Sequence, residues 1–299
     1  MHDDGSKRKH PGADALGLQI SAPKTRSQRR AIRPTLAVAV ALATHAGQAM
    51  ADEPMPMPAQ AQTTAPSAPL DPWHVAVGPG IYVAPRYPGS SQLLVFPIVY
   101  QDIDYRGRFF SRGFDFLGVY AVNNVTVQAG ADFQLDPTWR HSSDAPKLAR
   151  LDNVDPTVRA RAFVQATYSL ATLSVDLAQD IAGQRQGLLA NVDLLFSAPL
   201  GQWLLSVGPG TTWADSTYMQ TFFGISPAQA GVSGLPVHPV DSGLREWHVN
   251  LYATGKISQH WSAALSVTYA RLIGDAASSP VTSGRGQLTT MAALTWQFR

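Results

Sequence analysis

Polar and apolar residues alternate with period two along most of the chain after residue 72. Over 287–298, Leu288, Thr290, Ala292, Leu294, Trp296 and Phe298 share one parity, and Gln287, Thr289, Met291, Ala293, Thr295 and Gln297 share the other. Successive strand residues point to opposite faces, so the pattern predicts a strand with one apolar and one polar or small face. It is long enough to cross a bilayer, which takes about 9–11 strand residues. The same alternation sets Trp247, Val249, Leu251, Ala253 and Ile257 against Glu246, His248, Asn250, Tyr252, Thr254 and Lys256. It also sets Val158, Ala160, Ala162, Val164 and Ala166 against Arg159, Arg161, Gln165 and Thr167. A soluble antiparallel sheet can alternate in this way. Here the charges share the face that would line a lumen. Trp203, Trp213, Trp247, Trp261, Tyr269, Trp296 and Phe298 lie near strand ends, as membrane girdles do. The expectation is an all-β, antiparallel transmembrane β-barrel.

Eight strands are readable near 125–136, 156–170, 172–182, 187–199, 202–214, 244–258, 260–273 and 286–298. The connections at 170–171, 199–202 and 258–260 are short; those at 137–155, 215–243 and 274–285 are long, with 183–186 a short exception. Outer-membrane barrels keep short turns in the periplasm and long loops outside, so both termini are expected in the periplasm. An even number of strands must then fit into 73–124. Stretches 73–84 and 93–104 are two, and Gly113 breaks the next into a short hairpin, 109–112 and 114–122. About twelve strands result, with ten as the alternative and a narrow, partly filled lumen. No sequence repeat is expected beyond the strand pattern.

The residues before this region read differently. Lys24, Arg26, Arg29, Arg30 and Arg33 precede an apolar run at 36–44 and Ala49-Met50-Ala51, a small-x-small cleavage site. This is an export signal, too short for a membrane helix, and it makes 1–51 an extension plus signal peptide. Residues 1–30 are surplus to it and suggest a start codon assigned upstream of the true one. Residues 52–72 carry six prolines among Ala, Gln, Thr and Ser, and read as a disordered periplasmic tether. The barrel then occupies 73–299. Of 23 basic and 21 acidic residues, 1–51 hold eight and three, which leaves 15 and 18 and a net charge near −3. No basic patch for nucleic acid survives. The absence of Cys removes disulfides and thiolate chemistry.

Candidate chemistry is sparse. Inward positions include Arg159, Arg161, Asp176, Glu246, His248 and Lys256, with Asp132, Asp180 and Asp193. They read as a lumen in which opposite charges pair across strands, or as a selectivity patch with Arg159 and Arg161 attracting anions. His141, His238, His248 and His260 fall into no nucleophile–base–acid arrangement and no metal-ligand spacing, so neither catalysis nor a cofactor is expected. The long loop at 215–243 is unusually aromatic. Ser226 can cap a turn with Pro227 at its first position. Tyr218, Phe222, Phe223 and Ile225 would pack inward, as a plug or recognition element at the barrel mouth.

This loop also carries a family resemblance. Tyr218-Met219, Phe223-Gly224-Ile225-Ser226-Pro227-Ala228-Gln229-Ala230 and Ser233-Gly234-Leu235-Pro236 resemble the signature of the MipA/OmpV family of outer-membrane proteins. Pro85-Arg86-Tyr87-Pro88-Gly89-Ser90 looks like its first outer loop, Phe96-Pro97-Ile98-Val99-Tyr100 like its second strand, and 271–281 like its last outer loop. The resemblance covers most of 73–298. It implies a barrel in the outer-membrane lipid. It also implies a scaffold role in murein remodelling, with a lytic transglycosylase and a penicillin-binding protein as partners. Other members are described as porin-like or adhesive, which makes a narrow solute channel or a surface adhesin the alternatives. Unlike the family, which ends on an aromatic residue, this chain adds Arg299 after Phe298.

Overall fold

The computed structural model describes residues 72–298. The export signal, the stretch 52–71 and Arg299 lie outside the described residues. Twelve strands close into one antiparallel barrel. They are β1 (Trp73–Pro85), β2 (Leu93–Tyr105), β3 (Phe109–Arg112), β4 (Asp115–Asn123), β5 (Val127–Asp136), β6 (Thr157–Tyr168), β7 (Ala171–Asp180), β8 (Leu188–Leu200), β9 (Trp203–Ala214), β10 (Gly243–Lys256), β11 (Trp261–Leu272) and β12 (Gly286–Phe298). Closure comes from β1, where Val77 pairs with Gln101 of β2 on one side and Trp296 of β12 on the other. A tilted strand of a dozen residues rises about 30 Å, the thickness of a hydrocarbon core. The strands bury one parity in the lumen and turn mostly Val, Leu, Ile or Ala outward, with Phe109 exposed on the short β3.

One end of the barrel carries the start of β1, the end of β12 and the short turns, and is called here the terminus end. It is ringed by aromatics: Trp73 packs against Tyr105 (ring centroids 4.5 Å apart), and Trp296 against Trp261 (5.1 Å) and His260 (4.7 Å). The other, loop end carries the connections at 137–156, 215–242 and 273–285, with helices α1 (Ser216–Phe223), α2 (Pro227–Ser233) and α3 (Gly274–Ser278).

Contrary to the expectation of no repeat, a short one recurs. Trp73 with Val77-Gly78-Pro79-Gly80 in β1 matches Trp203 with Val207-Gly208-Pro209-Gly210 in β9. Both copies interrupt a ladder, between Val77↔Trp296 and Gly80↔Ala293 in one and between Phe196↔Val207 and Asp193↔Gly210 in the other. Proline has no N–H for a ladder and so belongs at such a lapse. A Cβ on Gly78 or Gly208 would collide with the carbonyl oxygen of Leu294 or Leu194. These glycines let two strands pass closer than any side chain allows.

Candidate functional site: a plugged barrel mouth

The loop end is filled by an apolar cap. Tyr218, Met219, Phe222, Phe223 and Ile225 pack with Tyr87, Leu148, Leu151, Val154, Leu189, Val240, Leu272, Ala276 and Val281. The four sequence candidates Tyr218, Phe222, Phe223 and Ile225 are completely buried. Local chemistry sets the two helices. Asp215 caps α1 by accepting from the Tyr218 N–H at 2.8 Å. Ser226 caps α2 in a reciprocal box, its hydroxyl accepting from Gln229 N and its own N–H donating to Gln229 Oε1. Pro227 stands at the first helical turn. Helix α1 puts three aromatics on its inward face; α2 buries no residue. The cap is tied down by Arg140, buried in the β5–β6 connection, whose Nη1 donates to the Phe222 carbonyl at 2.7 Å. Ser279 Oγ donates to the Phe223 carbonyl at 2.6 Å.

Beneath the cap the lumen holds paired charges in successive layers. Arg159 Nε donates to Asp136 Oδ2 at 2.6 Å, and its Nη2 donates to Gln186 Oε1 at 3.0 Å. Arg161 Nη2 lies 2.6 Å from Asp132 and 2.7 Å from Asp115. Arg245 Nη2 donates to Glu246 Oε1, and its Nη1 to the Tyr218 hydroxyl, both at 2.7 Å. His248 Nε2 lies 2.8 Å from Asp193 Oδ1, which also accepts from Asn250 Nδ2 at 2.7 Å. Asp176 accepts from Asn191 Nδ2 at 3.0 Å. Nearer the terminus end, Arg112 Nε donates to Asp102 at 2.8 Å. Each of these arginines thus has a carboxylate partner, and the side chains of Arg159, Arg161, Arg245 and His248 are almost completely buried.

Plug and charge layers meet at Tyr218. The guanidiniums of Arg245 and Arg159 lie 5.3 and 5.7 Å from its ring centroid. The ring therefore sits between two cations, each neutralised by a lumen carboxylate, in a cation–π arrangement. Arg159, Arg161, Asp176, Glu246 and His248 all lie in this buried interior. Lys256 does not: it is the last residue of β10 and exposed at the terminus end. Eight strand residues, about 26 Å, separate it from His248.

The sequence reading missed Asp115, Asp136, Arg140 and Arg245. Arg245 and Glu246 both point inward although they are adjacent, because the β9–β10 register shifts between Leu244 and Glu246. A bulge of this kind leaves no mark in an alternation count. Arg140 lies in a long loop, where no period applies.

Nε2 of His141, His238 and His248 lies against Asp155, the Asp275 carbonyl and Asp193 respectively. Among the described residues no group of three or more His, Cys, Asp or Glu could hold a metal.

A model of the family described as MltA-interacting protein MipA matches residues 77–298. No curated protein sequence matches the chain. Solved structures similar to it include the outer membrane protein OprD, a FadL homologue and OmpF. OprD from Pseudomonas aeruginosa matches at 10% identity and a TM-score of 0.32, over 74% of this chain and 65% of that one. A FadL homologue from Pseudomonas aeruginosa matches at 10% identity and 0.29, over 75% and 88%. Salmonella typhi OmpF in complex with daunomycin matches at 9% identity and 0.30, over 76% and 96%. The chain spans just under two thirds of the length of OprD.

Proposed function

The chain belongs to the MltA-interacting protein MipA family and lies in the outer membrane of a Gram-negative bacterium, and on that premise we propose that it is a non-catalytic scaffold for murein-remodelling enzymes. The observation that carries this reading is the closed interior. A wall lining a water-filled bore exposes its inward side chains, whereas here Arg159, His248 and Asn250 are completely buried under an apolar plug. A barrel whose described interior is packed in this way is suited to act through its surface. With the terminus end facing the periplasm, the surface offered to a periplasmic enzyme is the set of short turns. Their tips are apolar for exposed positions: Val125 is 79% and Tyr168 87% exposed, with Leu170, Leu200 and Ile257 also in the open. Arg106, Arg108 and Lys256 add positive charge beside them. Apolar tips flanked by cations suit a protein partner with an acidic, partly apolar face. The family name supplies the candidate, a lytic transglycosylase of the MltA kind; a penicillin-binding protein would join the same assembly.

The test is co-purification of such a transglycosylase with the intact barrel and with a Tyr168→Ser/Leu170→Ser/Leu200→Ser variant that retains heat-modifiable gel mobility. Capture by the intact barrel and its loss in the variant is the expected result. Equal capture by both would remove the turns from the contact, and no capture by either would remove the scaffold reading.

A further inference from the structure

The barrel wall is not uniformly complete. Strand β2 runs from residue 93 to 105, but β3 pairs only with its last four residues, Asp102 to Tyr105. The chain turns back at Gly113, whose N–H donates to the Gln101 carbonyl at 2.9 Å. Above that point no strand pairs with 93–100 on the β3 side among the described residues. Two strands stop short there, so at its foot the gap is about 10 Å wide. The end of β5 bounds it opposite, where Leu135 N donates to the Phe114 carbonyl. The β5–β6 connection reaches back over the top, with Asp144 3.8 Å from Arg86 beside β2. Exposure agrees with an opening. Val95 and Val99 on this edge are 61% and 73% exposed, against 40% and 39% for Val249 and Leu251 on fully flanked β10.

The edge is apolar on both faces. Outward stand Leu93, Val95, Pro97 and Val99; inward stand Leu94, Phe96 and Ile98, each only partly buried. Behind them lies an apolar cluster of Tyr82, Tyr100, Met291, Phe96, Ile98 and Phe114, in which the Tyr82 ring packs 5.1 Å from Phe96 and 5.3 Å from Phe114. At the foot of the gap Gly113 turns the chain at a φ of 53°, where a Cβ would meet the Tyr100 ring at 3.2 Å.

We propose that this gap is a lateral window in which one acyl chain of a bilayer lipid lies against the partly exposed inward side chains of Phe96, Ile98 and Phe114. The window opens in the lipid-facing band, continuous with the outward residues of β1 and β2, so hydrocarbon is what meets it. Its inward residues offer aromatic and aliphatic contacts and few hydrogen-bonding groups. A partner strand is poorly served: Gln101 turns its carbonyl to the open side, and by the period of two Pro97 does the same, placing its missing N–H on the free edge. A second copy is also poorly served. Two barrels of like orientation would bring tilted β2 edges together crossed, not aligned.

The test uses the full barrel in phosphatidylethanolamine vesicles doped with a phospholipid carrying a photoreactive diazirine on its palmitoyl chain. After irradiation and digestion, labelled positions are mapped by mass spectrometry. The expected result is labelling of inward residues Phe96, Ile98 and Phe114, which surrounding lipid cannot reach from outside a closed wall. Ile98→Trp, which fills the window, should cut that labelling at least tenfold while labelling of Val249 and Leu251 stays constant. Label confined to outward residues, or inward label unchanged in the variant, would overturn the proposal. Cross-linked dimers with Val95 and Val99 protected would overturn it in favour of a second copy. The parity of labelling in the unsubstituted protein decides even if Ile98→Trp fails to fold.

Discussion

Tyr87 is a phenol held in an apolar cap, and that fixes how the cap responds to base. Its hydroxyl lies 3.1 Å from Ser283 Oγ, and burial raises its pKa above the ordinary 10. Below pH 10 the proton is bound whether the cap is closed or open, so stability does not change. Above pH 10 the open form releases the proton more readily than the closed form, and the cap weakens as pH rises. Hydrogen exchange of the α1 amides should therefore accelerate above about pH 10 beyond the base-catalysed intrinsic rate, and Tyr87→Phe should remove the excess. The variant loses a hydrogen bond worth about 1 kcal/mol at neutral pH. An excess that survives the substitution would assign the alkaline response elsewhere. Phe223 tests the same cap by packing. Truncating a buried Phe costs about 3–5 kcal/mol in a packed core. Phe223→Ala should leave heat-modifiable mobility intact while 216–233 becomes sensitive to protease; unchanged sensitivity would show that the cap does not depend on this ring.

Elements explain why some of this was legible in the sequence and some was not. Alternation exposed the strands because each has one lipid-facing and one lumen-facing side, and parity of the chain ends required the short hairpin at Gly113. What a count of strands does not convey is register. The partner of Arg159 is Asp136 because β5 and β6 pair Gln134 with Arg159 and Asp136 with Thr157, a non-local fact. The bulge that turns Arg245 inward and the free edge of β2 are likewise properties of pairing, not of composition. The aromatic loop was legible as an inward-packing segment, and Ser226-Pro227 as a helix start. Helix α1, capped by Asp215, was not, because its eight residues are too few to establish a period. The Val-Gly-Pro-Gly repeat gives an element-scale prediction. Gly208→Ala drives a methyl group into the Leu194 carbonyl, with backbone on both sides and little room to relax. The β8–β9 pair should loosen and the temperature of the heat-induced mobility shift should fall. Gly231→Ala, where a Cβ meets nothing within 4 Å, is the control and should leave that temperature unchanged or raised. Equal behaviour of the two variants would deny that close strand passage matters.

For the whole molecule, two barriers lie in series along the barrel axis, and they fail differently. The first is the cap at the loop end, held by apolar burial and by Tyr218 between Arg159 and Arg245. The second is the set of ion-paired layers from Asp136–Arg159 down through Asp132–Arg161–Asp115, held by hydrogen bonds anchored in the strands themselves. Because the second does not depend on the loop, removing the first should not open the barrel. In planar bilayers the intact protein should show no steady ohmic conductance, and deletion of 216–233 should leave it closed or flickering. Breaking a buried pair by removing one partner costs about 3–5 kcal/mol and leaves a charge that draws in water. Combining the loop deletion with Arg161→Ala, which strips Asp115 and Asp132 of their shared cation, should therefore be the first change to give sustained conductance. It should favour cations, since two carboxylates remain. Steady conductance in the intact protein would sink the closed-barrel reading and with it the main support for a scaffold. Opening by the loop deletion alone would place the whole barrier in the cap, and a closed double variant would place it in layers nearer the terminus end.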